Sequence, residues 1–130
     1  MALARYPSGY RSQEGEVLSG MREVSMAEFL RAHAAGAAVI DVSDVEEYNL
    51  GHIPGAASLP LEDLSRDLTA ARCQLRRDAP VYLVCAAGNR SLIATGMLMH
   101  AGYDAYSVLG GTSGWVKTGH SVVGGDRVRY

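Results

Sequence analysis

Cys85 is the residue in this chain best placed to do chemistry, because it closes an apolar run, Val81-Tyr82-Leu83-Val84, and opens a loop of small residues, Ala86-Ala87-Gly88. Asn89 and Arg90 follow, and a helical pattern begins at Ser91. A cysteine facing a helix N-terminus with a guanidinium five residues on has its thiolate favoured, since both are positive where the sulfur sits. The spacing therefore predicts a nucleophilic thiol. Ala86, Ala87 and Gly88 carry so little side chain that the loop can curl and aim successive N–H groups at one point, a nest for an anion. Arg90 would close its rim with a planar set of donors.

Such a thiol must be held by a fold, and the chain supplies the elements in alternation. Ser25, with Glu28 three residues on, is a capping-box start for a helix over 26–35, stopped by Gly36. Ala37 to Val42 is a short apolar run ending in Asp41, the form of a strand buried on both faces of a parallel sheet. Asp44 to Tyr48 carries acids suited to a first helical turn and is stopped by Gly51. The turn Gly51-His52-Ile53-Pro54-Gly55 leads into a strand at Ala56 to Leu59, and Leu61, Leu64 and Leu68 then repeat at helical spacing. Ala70 to Ala79, with Arg72, Arg76, Arg77 and Asp78, reads as a solvated face. Val81 to Val84 is the most strand-like run, Ser91 to Ala101 is a helix ended by Gly102, Ala105 to Leu109 is a further strand, and Gly110-Gly111 precedes a short helix around Trp115. This alternation predicts an α/β fold with a mostly parallel central sheet and helices on both faces. Ligands in such sheets sit beyond the carboxyl ends of strands, where Cys85 falls.

The chain has 130 residues, enough for one domain, read as 21–130 after an N-terminal extension at 1–20; the tail from Gly119 reads as only partly packed. Twelve basic against fourteen acidic residues give a net charge of −2, which offers no basic footprint for nucleic acid or an anionic membrane. The longest uncharged stretches fall short of the ~20 apolar residues of a membrane span, and the first twenty residues lack the apolar core of a secretory signal. A soluble, cytoplasmic protein with free thiols is the expectation. Cys73 reads as an incidental thiol, His52 as structural and Trp115 as core. His33, His100 and His120 lack ligand spacing, so neither a metal site nor a cofactor site is expected.

The sequence resembles the rhodanese family, the single-domain sulfurtransferases, from about Val24 to Val123. The resemblance is carried by Val39-Ile40-Asp41-Val42 with Glu46-Glu47-Tyr48, by Gly51-His52-Ile53-Pro54-Gly55-Ala56, by Val81 to Cys85 with Gly88-Asn89-Arg90-Ser91, and by Gly110-Gly111 with Trp115. It implies a single rhodanese-like domain in which Cys85 takes a sulfane sulfur from a donor anion such as thiosulfate. Cys85 would hold the sulfur as a persulfide and pass it to cyanide or a thiol, a protein acceptor included. By position it makes Ala86, Ala87, Gly88, Asn89 and Arg90 the substrate cradle and Asp41 a supporting residue. The family commonly has Arg where this chain has Ser43, which leaves Asp41 in need of another partner, and a basic or polar residue where it has Ala86. Donor charge would then fall to Arg90, the loop N–H groups and the helix dipole. A second reading of the neutral loop is a carrier or interaction module with little turnover. A third is oxyanion chemistry of the phosphatase or arsenate kind, although the C-x4-R spacing here is one residue shorter than the C-x5-R of thiol phosphatases, and no Asp in the loop serves as acid.

Overall fold

The capping box at Ser25 and Glu28 is present in the computed structural model, which describes residues 22–68 and 75–125. Ser25 Oγ accepts from Glu28 N–H and the Glu28 carboxylate accepts from Ser25 N–H, and helix α1 runs Met26–Ala34. The same reciprocal device, Asp44 with Glu47, starts α2 at Val45–Leu50. Each satisfies N–H groups that a first turn leaves without intrahelical acceptors.

The apolar runs become strands β2 (Ala38–Asp41), β3 (Ala57–Ser58), β4 (Val81–Val84) and β5 (Ala105–Val108). A two-residue strand β1, Glu23–Val24, precedes α1; it has neither the length nor the alternation that announces a strand in sequence. Among the described residues the five strands pair in parallel, in the order β1-β5-β4-β2-β3. Helix α3 (Leu61–Arg66) follows β3, α4 (Asn89–His100) follows β4, and α5 (Gly111–Lys117) follows β5.

Strand alternation divides the core in two. Ile40, Leu83 and Ala105 pack with Leu64 of α3 and with Ala94 and Leu98 of α4, while Val39, Val84 and Val108 pack with Phe29 of α1 and Trp115 of α5. Helices thus cover both faces, as the near-continuous apolar strands require. His33 closes the second layer by donating from Nε2 to the Pro54 carbonyl at 2.8 Å and meeting the Trp115 ring edge-on at 4.9 Å.

From β2 the chain moves outward to β3 and then returns to place β4 on the other side of β2. The reversal lies between β2 and β4, and beyond their carboxyl ends a crevice opens. Asp41 pairs in register with Val84, and Val42 N–H donates to the Val84 carbonyl, so Cys85 and the residues after Asp41 stand side by side at that crevice.

Three stretches lie outside the described residues: 1–21, which holds the 1–20 extension, 69–74, which holds Cys73, and the end of the tail at 126–130. Arg76, Arg77 and Asp78 are exposed, in keeping with a solvated face. The tail is tied to the body as far as it is described: Val123 and His52 exchange backbone hydrogen bonds, and Trp115 Nε1 donates to the Ser121 carbonyl.

Candidate active site

Cys85 is 1% exposed at the carboxyl end of β4. Gly88, at φ 110° in the left-handed region that glycine tolerates, turns the loop and caps α4. The helix begins at Asn89, two residues earlier than its apolar periodicity announces, so Asn89 and Arg90 belong to its first turn rather than to the loop. The turn aims N–H groups at the sulfur: Gly88 N–H donates to Sγ at 3.1 Å and Ser91 N–H at 3.4 Å, and the Ser91 hydroxyl stands 3.7 Å away. The loop is fastened from outside by α5, whose Thr112 N–H donates to the Cys85 carbonyl and Ser113 N–H to the Ala86 carbonyl. With those carbonyls engaged outward, the N–H groups that follow point inward.

Burial is the largest influence on the thiol and opposes its ionisation. The Ser91 N–H and hydroxyl and the N–H groups of Gly88 and Ala87 together overcome it, and the pKa lies below the ordinary thiol value. The sequence points to the helix N-terminus and Arg90 as the cause; the N–H groups at that N-terminus, with the Ser91 hydroxyl, act by direct hydrogen bonds to the sulfur, and the Arg90 charge also interacts with Cys85. Alkylation of Cys85 followed against pH should accordingly show a midpoint below the ~8.5 of a free thiol. A midpoint at or above that value would mean that burial wins.

Arg90 does not stand open at the rim. Its Nη1 and Nη2 donate to the two carboxylate oxygens of Glu47, at 2.6 and 3.0 Å, across 43 residues of sequence. The fork-to-fork geometry explains the preference for Arg over Lys. The Arg90 guanidinium, foremost among several influences, holds the Glu47 carboxyl down at about 2 from the ordinary 4.5. Because the folded value is depressed, the pair's contribution to stability is complete above the unfolded value and lost as pH falls from 4.5 toward 2. Both side chains are more than a third exposed, which keeps that contribution at ~0.2–1 kcal/mol. The pairing also sets a sign for substrate effects. Glu47→Gln frees the guanidinium and removes a carboxylate near the cradle, so it should raise kcat/KM for a dianionic donor about two- to fivefold. Arg90→Ala, which leaves Glu47 uncompensated, should lower it. Steady-state kinetics with thiosulfate checks both, and equal directions for the two variants would contradict the assignment.

Asp41 finds its partner locally. Ser43 donates both its N–H and its hydroxyl to Asp41 Oδ1, so the position that the resemblance gives to an arginine supplies two neutral donors here. Burial, the largest influence, nonetheless raises the Asp41 pKa above its ordinary value. Asp41 and Ser43 line one wall of a half-open groove of about 500 Å³ that reaches the cradle at Ala86 and is completed by Leu50, Val116 and Lys117. Leu50 is 86% and Val116 50% exposed, so the groove mouth is apolar. Arg90 faces a second hollow, with Asp44, Leu61 and Arg66, on the other side of the loop.

Of the residues singled out in sequence, Cys85, Ala86, Ala87, Gly88, Asn89 and Arg90 run continuously around the sulfur from the end of β4 into the first turn of α4, with the Arg90 guanidinium turned to Glu47, and Asp41 lies alongside. His52 is buried, stacked on Tyr48 at 3.7 Å and bonded through Nδ1 to the Tyr48 carbonyl, a structural role. The functional parts that sequence reasoning missed are Ser91 as a donor to sulfur, Glu47 as the holder of Arg90, and Gly111 beneath the loop. Only Ser91 carried a local signal, as the first hydroxyl after the Gly-containing turn.

With the geometry established, comparison with known proteins gives a consistent result. The sequence model of the family described as "Rhodanese-like domain" matches residues 25–118. The chain is 33% identical over 102 residues to a thiosulfate sulfurtransferase of Pseudomonas entomophila (strain L48), covering 78% of this chain and 90% of that one. Among solved structures it is similar to a rhodanese-related protein from Thermoplasma volcanium, at 29% identity and a TM-score of 0.69 over 78% of this chain and 97% of that one. It is likewise similar to a human single-domain sulfurtransferase, at 27% identity and a TM-score of 0.66 over 73% and 95% of the two chains. A thiol under backbone N–H donors at a strand end, on a parallel sheet with this strand order and this family match, places the chain in the rhodanese-like domain family.

Proposed function

We propose that the protein is a sulfurtransferase that carries a sulfane sulfur on Cys85. The Cys85 thiolate attacks the outer sulfur of thiosulfate, a new S–S bond forms, and the bond to the sulfonate sulfur breaks with its electron pair leaving on sulfite. The product is a Cys85 persulfide. Attack by cyanide on the terminal sulfur yields thiocyanate and returns the Cys85 thiolate; a thiol acceptor yields its own persulfide in the same way. The single observation supporting this reading most strongly is the set of N–H donors on Sγ, because a group that stabilises anionic sulfur serves both the attacking thiolate and the leaving thiolate. Ala86 to Arg90 are the cradle for the donor, and Asp41, held by Ser43, supports the wall of the groove through which donor and acceptor approach.

A second reading has an observation of its own. The apolar mouth formed by Leu50 and Val116 beside the neutral Ala86-Ala87 pair suits a protein or large thiol acceptor better than cyanide. Thiocyanate formation from thiosulfate and cyanide by the purified protein separates the two. Turnover that saturates in thiosulfate and depends on Cys85 supports the enzyme; loading of Cys85 without cyanide turnover supports the carrier.

A further inference from the structure

Two serines occupy the layer beneath Cys85. Ser91 lies in the first turn of α4 and Ser107 near the end of β5, and both have no exposed surface. Alternation along β5 turns Ser107, like Ala105, toward the α4 layer. Their hydroxyl oxygens are 2.8 Å apart. Ser91 Oγ is also 3.2 Å from the Gly88 carbonyl oxygen and 3.7 Å from Cys85 Sγ. Thr95 holds the same turn from the far side by donating to the Ser91 carbonyl at 2.7 Å.

Counting hydrogens gives this cluster a direction. Among the described residues Ser91 is the one partner of the Ser107 hydroxyl, and a buried hydroxyl hydrogen requires an acceptor, so Ser107 donates to Ser91. One lone pair of Ser91 Oγ is then filled. While Cys85 is a thiol, its S–H donates to the other lone pair and the Ser91 hydrogen goes to the Gly88 carbonyl. Once the thiol proton leaves, the Ser91 hydrogen has a charged acceptor within reach, and rotation about one bond moves it from the carbonyl to the sulfur. Ser107 keeps the oxygen polarised and in place throughout.

We propose that Ser107 is a positioning residue for the sulfur carrier, pinning the Ser91 hydroxyl so that it hands its hydrogen to Cys85 whenever the sulfur is anionic. The proposal rests on the function proposed above only in taking Cys85 as the carrier. The titratable and charged groups around the cradle are untouched by it: Arg90 of α4 is paired with Glu47 of α2, Asp41 is held by Ser43, His52 is bonded to the Tyr48 carbonyl, and Lys117 of α5 lines the groove.

The test is the pH profile of Cys85 alkylation in the full chain carrying Cys73→Ser, so that one thiol reports. Ser91→Ala should raise the midpoint by about one unit, the effect expected for losing a hydrogen bond to a charged atom. Ser107→Ala should raise it by roughly 0.3 to 0.5 unit, the share lost when one bond of a polarised chain is cut. In the Ser91→Ala background Ser107→Ala should add nothing, because its action runs through the Ser91 hydroxyl. A merely structural role would shift the midpoint equally in both backgrounds, and that result, or no shift in the parent, overturns the proposal. Should Ser107→Ala fail to fold, the matched pair Ser107→Thr and Ser107→Val, alike in shape and differing in the hydroxyl, decides: the midpoint should stay at the parent value in the first and rise in the second, and equal midpoints refute it. The readout is ionisation and not turnover, so absence of sulfur transfer would count against the proposed function and leave this result standing.

Discussion

Cys85→Ser is expected to lower thiocyanate formation by at least about a thousandfold, since a hydroxyl cannot accept and release a sulfane sulfur and no other group in the cradle replaces it. The loss should fall on kcat, with the fold retained: Ser fits the Cys85 site, and its oxygen accepts the Gly88 and Ser91 N–H bonds that Sγ accepts now. Steady-state kinetics beside near-ultraviolet circular dichroism checks both halves. Residual turnover above a tenth of the parent would assign the chemistry elsewhere.

Gly111→Ala should be the most damaging single-methyl substitution at the site, although Gly111 brings no side chain to it. At φ +56° a Cβ here would stand 2.1 Å from the Cys85 carbonyl oxygen and 3.0 Å from that of Ala86, both main-chain atoms that cannot step aside without moving the loop. Overpacking and left-handed backbone together cost roughly 2–5 kcal/mol. For a domain of this size that corresponds to a melting temperature lower by roughly 10 °C or more. Displacing the Cys85 and Ala86 carbonyls also turns the loop N–H groups off the sulfur, so the alkylation midpoint should climb toward that of a free thiol. Gly119→Ala is the matched control, because Gly119 has a φ of +94° and nothing within 4 Å of an added methyl, and therefore incurs the backbone cost alone. A Gly111→Ala protein no less stable than Gly119→Ala in a urea or thermal melt would show that the loop does not rest on Gly111.

What the sequence makes legible follows from which signals are local. Strands β2, β4 and β5 are apolar runs because both their faces are covered, and α1 and α2 begin at reciprocal Ser/Glu and Asp/Glu pairs three residues apart. The thiol at the end of β4 is readable for the same reason, since strand, turn and helix follow one another without a break. Contacts set by sheet order are not readable. Glu47 meets Arg90 only because β2 and β4 are neighbours, Ser107 reaches Ser91 only because β5 lies on the other side of β4, and Gly111 reaches the Cys85 carbonyl through the turn after β5. Strand β1 is too short to show a pattern and exists by pairing with β5. The Asp41 partner, by contrast, is within reach of a sequence reading: a serine two residues after an aspartate is placed to donate twice to it, and Ser43 does so.

The start of α4 at Asn89 changes the reading of the loop most. Because Arg90 is already helical, its guanidinium turns to Glu47, and the hydrogen bonds to the sulfur come from backbone N–H groups and the Ser91 hydroxyl while Arg90 acts on it through charge alone. On the proposed function, a cradle built from N–H groups would hold anionic sulfur without a bulky cation in the entrance, and the groove past Ala86, with its apolar mouth, would admit the acceptor.

The central claim, that Cys85 holds a transferable sulfur in this cradle, is tested most directly by intact-mass spectrometry of the protein after exposure to thiosulfate. The expected result is a gain of about one sulfur atom that disappears on adding a thiol reductant and never forms in Cys85→Ser, while Cys73→Ser gains it as the parent does. A gain that persists in Cys85→Ser, or a parent protein that gains nothing, would contradict it.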